Sequence, residues 1–206
     1  MTKILFILFF ISWSFCAFSQ EKRSAGKKDT ILQNNDFRQK DTSYWIYNLR
    51  QLRDALYTSN KLKAKTFFDF PVKSEGNELW YLVYSDNEKA IDKIKHPSKP
   101  FGEKDFDMHF AKIFPKQLAK CFLKIKLENV LKNGHAESGI IKVSNTTYKL
   151  HITYDKSLRI FELNLATNTP YKISDSEYEV AEANYIYRFK ILKNGHVKFQ
   201  EFLMAG

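Results

Sequence analysis

The residues best suited to chemistry lie close together near the middle of the chain, at Asp105, Asp107 and His109. In a helix, Asp105 and His109 are four residues apart and share a face, where they could form a catalytic Asp–His pair or two ligands of a metal ion. No third ligand or nucleophile stands at a defined spacing from them. The same residues also fit a solvated polar helix face, with Asp105 near the positive end of the helix dipole. Both alternatives stay open, and we expect His109→Ala to leave the fold intact.

Other catalytic signals are weak. Cys121 lies beside a phenylalanine-rich stripe, so a core thiol is favoured over a nucleophile paired with a distant histidine. Glycine-rich phosphate loops, CxxC pairs, HExxH and GxSxG do not occur in the sequence. The sequence therefore predicts no cofactor and no metal site, and it favours a non-enzymatic protein while leaving catalysis undecided. An ionisable group among Asp69, Asp105 and His109 that points into an enclosed pocket would favour an enzyme instead.

Four tyrosines form a different kind of candidate site. Tyr148, Tyr154, Tyr185 and Tyr187 alternate along segments with strand periodicity, so several of their rings and hydroxyls should face the helix-covered side of a sheet. Buried tyrosine hydroxyls need hydrogen-bond partners, which water or a ligand in a cavity can supply. The alternative is a packed aromatic core with the hydroxyls at its rim. We predict these four residues as ligand-binding candidates.

The N-terminus has the layout of a secretory signal peptide. The segment MTKILFILFFISWSFCAFSQ has one early cation, a short apolar run and small residues at Ala17 and Ser19. It predicts a signal peptide over residues 1–19, cleavage between Ser19 and Gln20, and export to the periplasm or the medium. The apolar run is shorter than the roughly 20 residues of a membrane span, so no stable membrane span is expected. A lipid anchor at Cys16 is an open alternative.

Composition limits the partners. The formal charge is +10, and removal of Lys3 with the signal leaves 32 basic against 23 acidic residues, or +9. Lysine spread along the chain favours solubility and weak attraction to anionic surfaces, and together with export it argues against nucleic-acid binding. Cys121 alone remains after cleavage, so no internal disulfide is expected and a hydrophobic core must supply the stability. An unknown small ligand or protein is the expected partner, and the oligomeric state is left open.

The helices can be placed from apolar spacing. Residues 20–40 are polar and aperiodic, which predicts a flexible leader. A helix should run from about Tyr44 to Leu56, capped by a residue in 41–43, and a short helix or turn should follow at 61–65. The stretch FFDFPVKSEGNELWYLVYS predicts a hairpin whose second strand is covered on both faces. The stripe from Phe106 to Phe114 predicts a helix, and Pro115 should begin a new helical segment or kink the old one.

Beyond Gly134, the apolar period is two. It predicts about five antiparallel strands, among them segments around 148–154, 161–165 and 197–204 and a long strand over 178–191. A parity switch in the long strand predicts a β-bulge near Val180 and Ala181. Together, these helices and strands predict one α+β domain over residues 41–206, in which helices pack on a strongly bent, cone-like antiparallel sheet.

The order of these elements resembles the nuclear transport factor 2-like fold, as found in exported bacterial proteins of unknown function. The stretches that carry the resemblance are FFDFPV followed by GNELWYLVY, then FGEKDFDMHFAKIF, then YIYRFKILKNGHVKFQEFLMAG. They span roughly residues 41–206 as a pattern of elements. The fold hosts enzymes, ligand binders and interaction modules, so the resemblance implies a pocket between sheet and helices and no particular reaction.

The pentapeptide LKNGH occurs twice, at Leu131–His135 and at Leu192–His196. In the first copy, Gly134 should end a helix in the left-handed conformation. In the second, face matching of the flanking residues requires an odd loop, Lys193 to Gly195, with Gly195 left-handed. Two turns, not a shared metal site, are therefore predicted.

We expect an exported, non-enzymatic binding or interaction domain with an aromatic-lined pocket; a single-group Asp/His enzyme and an inhibitor-like or immunity-like protein are the alternatives.

Overall fold

The computed structural model of the protein describes residues 44–72, 76–85, 88–91, 94, 99–174 and 177–206. The predicted signal peptide over 1–19, with Cys16, the leader over 20–40 and the helix caps at 41–43 all lie outside these residues. Within them, helices come first and strands follow. This order confirms an α+β protein with an antiparallel sheet.

The helices occupy the first half of the described chain. The helical segments are α1 (residues 44–57), α2 (Lys61–Lys65), α3 (Glu78–Tyr84), α4 (Glu88–Ile91), α5 (Glu103–Ile113), α6 (Lys116–Leu123) and α7 (Leu127–Asn133). Phe106, Phe110 and Ile113 of α5 are buried at the predicted helical spacing. Pro115 is the N-cap of α6, a position where its missing N–H costs nothing, so the prediction of a new helix there is confirmed.

The strands form one open sheet. They are β1 (His135–Glu137), β2 (Ile141–Val143), β3 (Thr146–Asp155), β4 (Ile160–Ser174), β5 (Glu177–Ile191) and β6 (Val197–Ala205). The spatial order is β1-β3-β4-β5-β6, and β2 also pairs with β3. The bending of this sheet into a cone remains a prediction.

One face of the sheet carries the core. Inward positions alternate along the strands, as in Leu150 and Ile152 of β3 and Phe161 and Leu163 of β4, and all four side chains are buried. Cys121 of α6 is also buried and its Sγ lies 3.9 Å from the carbonyl oxygen of Tyr148 in β3, which confirms it as a core thiol. Burial raises the pKa of this thiol, so it is a poor nucleophile.

The predicted hairpin before α5 is wrong. Its second strand is helix α3, in which Leu79, Leu82 and Val83 are buried at the i, i+3, i+4 spacing of a helix. The rings of Trp80 and Tyr84, one turn apart, stack with centroids 5.8 Å apart. A short run that is apolar on every position fits a buried strand and a buried helix equally well, and period alone cannot separate them.

The first strand of that predicted hairpin is reduced to a single bridge. Val72 exchanges two backbone hydrogen bonds with Phe101, each 2.9 Å long. Before this bridge, Phe68 enters an aromatic cluster against Phe106 and Phe199, with ring centroids 4.8 and 4.5 Å from its own. The alternation of phenylalanines therefore reflects packing of a loop, not pairing of a strand.

The predicted bulge near Val180 and Ala181 is also wrong. The pairing of β4 with β5 is regular there, with Pro170 opposite Val180. The register shift lies instead between Arg188 and Phe189 in the pairing of β5 with β6, with a further one near residues 172–174. The prediction failed because residues 177–182 are exposed on both faces of the ribbon, so the alternation of apolar residues in that stretch does not indicate which face is buried.

This exposed stretch belongs to a two-stranded ribbon. Strand β3 pairs with β4 only as far as Asn168, and β6 pairs with β5 only as far as Asn184. Beyond these points, residues 169–174 of β4 pair only with β5, and residues 177–183 of β5 pair only with β4, among the described residues. We call this extension the β4–β5 ribbon.

Both predicted uses of LKNGH are confirmed. Gly134 ends α7 at φ 77°, and its N–H donates to the Val130 carbonyl over 2.9 Å. Gly195 has φ 79°, and the Leu192 N–H donates to the His196 carbonyl over 2.8 Å, which closes a three-residue loop. One pentapeptide therefore ends a helix once and turns a hairpin once.

Candidate functional site

A cleft of about 350 Å³ opens between the helices and the sheet. Its sheet side consists of side chains from β3, β4 and β5: Thr146, Tyr148, Leu165, Thr167, Thr169, Tyr185 and Tyr187. Its helix side consists of Leu82, Ser85, Ala111, Lys112, Pro115 and Gln117. Three of the four predicted tyrosines thus share one concave surface.

Strand alternation explains why these side chains meet. Tyr148 of β3 is directly opposite Thr167 of β4, and Leu165 of β4 is directly opposite Tyr185 of β5. Residues opposite one another in an antiparallel pair point to the same face. The two tyrosines therefore flank the two β4 residues from either side, on strands about 10 Å apart. They form the walls of the cleft, and Leu165 and Thr167 form its floor.

Threonine hydroxyls add polar groups to this surface. The Oγ1 atoms of Thr146 and Thr169 lie 2.9 Å apart in a hydrogen bond. The Thr167 hydroxyl donates to the Ala183 carbonyl over 3.2 Å. Each hydroxyl has one donor and two acceptor positions, so these bonds leave acceptor capacity on threonines that line the cleft.

The charge of the lining is positive. The Lys112 ammonium donates to the Val83 carbonyl over 2.8 Å, which holds it at the helix side of the cleft. The Ser85 hydroxyl donates to the Leu82 carbonyl over 2.9 Å and keeps its lone pairs. Among the described lining residues, Lys112 carries the single formal charge.

Tyr187 links strand β5 to helix α5 at the bottom of the cleft. Its hydroxyl donates to the carbonyl of Ile113 over 2.6 Å, and its side chain is fully buried. Ile113 ends α5, where helix carbonyls have no partner within the helix, so this bond satisfies one of them. Burial raises the pKa of Tyr187 far above its ordinary value, which keeps the hydroxyl protonated and donating.

Tyr154 lies elsewhere. Its ring packs on that of Trp45 in α1, with centroids 4.5 Å apart, and it does not line the cleft. Burial raises its pKa. The structure therefore groups Tyr148, Tyr185 and Tyr187 and separates Tyr154 from them.

Asp105 acts as a helix cap. Its Oδ2 accepts the Gly102 N–H over 2.9 Å at the start of α5 and lies 3.8 Å from the Lys99 ammonium. Asp69 is exposed and accepts from the Lys198 ammonium over 2.7 Å. Neither carboxylate lines the cleft.

His109 sits half-buried among aromatic rings. The centroid of its ring is 5.6 Å from that of Tyr84 and 6.5 Å from that of Trp80. Burial, and secondly the charge of Lys112, lower its pKa from the ordinary value, so the neutral form is favoured. No hydrogen bond links it to Asp105 among the described contacts. The two residues share a helix face but do not form a pair of the catalytic type.

The threonines were not predicted as site residues, although the signal was present. Thr167 and Thr169 continue the odd-numbered inward set of Phe161, Leu163 and Leu165. Inward threonines where a strand leaves the core indicate a polar recess. Lys112, Ala111 and the other helix-side residues had no comparable signal, because their position depends on how α5 and α6 lie over the sheet.

The described residues contain neither a cluster of metal-ligating side chains nor a helix that could cross a membrane. No group of three or more His, Cys, Asp or Glu side chains in this part of the chain could hold a metal ion. Among the same residues, no helix is long and apolar enough to cross a membrane. No family model, curated protein or solved structure matches the chain.

Proposed function

We propose that the protein is an exported binding protein that takes up a small ligand in the cleft between its helices and its sheet. Export rests on the signal-peptide pattern of residues 1–19. Binding rests on one observation: Tyr148 and Tyr185 flank a recess of about 350 Å³ that also presents threonine and serine hydroxyls. A concave, half-apolar recess with a few convergent polar groups is the usual form of a small-molecule site.

The lining suggests the class of ligand. Tyrosine rings offer flat faces for stacking, and the hydroxyls offer donors and acceptors at the floor. We therefore propose a ring-containing ligand with several hydrogen-bonding groups.

The acid–base enzyme is the weaker alternative. It would need Asp69, Asp105 or His109 in contact with a substrate in the cleft. Asp69 is instead exposed, Asp105 caps helix α5, and His109 is half-buried among aromatic rings. Binding without chemistry is accordingly the function that the arrangement supports best.

A fragment screen by ligand-observed NMR tests the binding site. The probes are phenols, hydroxylated ring acids and monosaccharides, screened against the protein and against Ala111→Trp. Ala111 is an exposed residue of α5 that lines the cleft, so an indole at this position should fill the recess without disturbing the core. Met108→Trp is the matched control, because Met108 is 75% exposed on the same helix and does not line the cleft.

We expect ring fragments to bind the wild type and Met108→Trp and to lose binding to Ala111→Trp. Fragments that bind all three proteins equally, or none of them, would contradict the proposal.

A further inference from the structure

The β4–β5 ribbon exposes apolar side chains on both of its faces. Tyr171 and Ile173 are 46% and 49% exposed, and Tyr178 and Val180 are 66% and 54% exposed. Tyr171 is opposite Glu179 on the face that continues the core side, whereas Val180 is opposite Pro170 on the other face. An isolated two-stranded ribbon is marginally stable in water, so a partner that covers these side chains would stabilise it.

The charge of the ribbon is opposite to that of the chain. Its described residues carry the carboxylates of Glu177, Glu179 and Glu182 against the single ammonium of Lys172, which is a formal charge of −2 in a chain of +10. Two ribbons would therefore repel each other. A basic surface is the partner that this charge favours.

The same chain carries such a surface. From Met108 to Leu127 there are five lysines and no carboxylate. Lys116, Lys120 and Lys124 recur every four residues along α6 and its C-cap, and all three are exposed. We call them the lysine face of α6. Within the described part of the chain, none of the three is within ion-pair distance of an acidic side chain.

We propose that the protein self-associates by placing the β4–β5 ribbon of one copy against the lysine face of α6 in a second copy. The ribbon face that continues the core side carries Glu177 and Glu179 beside Tyr171, because alternate residues of a strand point to the same face. These two carboxylates recur about 7 Å apart along the strand, and successive lysines of the lysine face recur about 6 Å apart along the helix. Leu123, 39% exposed at the end of α6, gives Tyr171 an apolar contact beside the ion pairs.

A two-fold dimer fits this arrangement. Thr169 at the root of the ribbon and Gln117 in the first turn of α6 line the same cleft, so the two complementary surfaces lie on the same side of the molecule. A two-fold axis beside that side brings each ribbon to the other copy's helix, which forms two identical contacts and leaves neither surface uncovered. The contact is small, so we expect a dissociation constant on the order of 10–100 μM.

Sedimentation velocity over a concentration series tests the proposal through charge exchange. The ribbon variant is E177K/E179K, the helix variant is K120E/K124E, and the third protein combines all four changes. Lys156→Glu, on the exposed turn between β3 and β4, controls for a change of net charge. Circular dichroism verifies that each variant is folded. A second ribbon variant, Y171S/I173S, removes apolar surface without changing charge.

We expect a concentration-dependent dimer that weakens at about 0.5 M salt. The ribbon and helix variants should each weaken it about tenfold, the combined protein should regain affinity, and Lys156→Glu should change it less than about twofold. The variant Y171S/I173S should weaken the dimer without altering its salt dependence. A monomer at every concentration, or a dimer that neither charge variant affects, would overturn the proposal.

Discussion

Removal of the Tyr187 hydroxyl tests how the helices are joined to the sheet. In Tyr187→Phe the ring remains between Phe114 and Phe202, so packing is preserved. The 2.6 Å hydrogen bond to Ile113 is lost, and the carbonyl at the end of α5 is left buried without this donor. An unsatisfied buried group costs about 1–3 kcal/mol. For a chain of this size, a loss of about 2 kcal/mol should lower Tm by about 4–8 °C.

The assay is reversible urea unfolding followed by tryptophan fluorescence and by far-ultraviolet circular dichroism, with calorimetry for Tm. Coincident transitions would support a two-state analysis. Tyr185→Phe is the control, because Tyr185 lies two residues earlier on the same face and its hydroxyl has no hydrogen-bond partner within the described residues. It should change the free energy of unfolding by less than about 0.5 kcal/mol. Equal effects of the two variants would refute the role assigned to Tyr187.

Three further predictions concern the turns and two titrating groups. Gly195→Ala should lower the free energy of unfolding by about 2–4 kcal/mol, because Gly195 has φ 79° and a Cβ there would meet the ring of Tyr44 at 2.2 Å. Gly134→Ala, with φ 77° and its nearest atom at 3.6 Å, should cost about 1–2 kcal/mol, and Gly139→Ala, in open space, less than about 0.5 kcal/mol. Urea unfolding measures all three variants, and a Gly139→Ala that destabilised most would contradict this order. An NMR titration of His109 should give a pKa below the ordinary value of 6.5, and a midpoint above 6.5 would contradict this. Because the folded pKa is lowered, the protein should lose stability as pH falls through that range, and His109→Gln should lose less stability over the same range. Because the pKa of Tyr187 is raised, the free energy of unfolding should fall as pH rises above 10.0, by up to about 1.4 kcal/mol per pH unit. Tyr187→Phe should lack this contribution to the pH dependence, and the same pH dependence in the wild type and the variant would exclude a buried, protonated Tyr187.

Local patterns predicted the parts of the fold in which one physical requirement dominates. The phenylalanine stripe of α5 and the proline that begins α6 were recognisable because helical spacing and a missing N–H act within a few residues. The left-handed Gly134 was recognisable because a glycine follows the last apolar residues of a helix, and Gly195 because strand parity leaves few ways to close a loop. In each case the local requirement agreed with the rest of the fold.

Patterns failed where burial came from tertiary packing. The run Leu79–Tyr84 is apolar on every position, and only its contacts in the folded chain decide that it is a helix. The parity of Val180 carried no information about a core because the ribbon has none. For the site, parity placed Tyr148, Tyr185 and Tyr187 on one surface, but the helix side of the cleft depends on how α5 and α6 cross the sheet.

The proposed binding of a small ligand in the cleft between helices and sheet is tested most directly by native mass spectrometry of the protein purified from its native source, beside the same preparation of Ala111→Trp. We predict a population of wild-type molecules that carries an added small mass, with no such population in Ala111→Trp. Spectra in which both proteins show only the mass of their own chain, or in which both carry the same added mass, would contradict the claim.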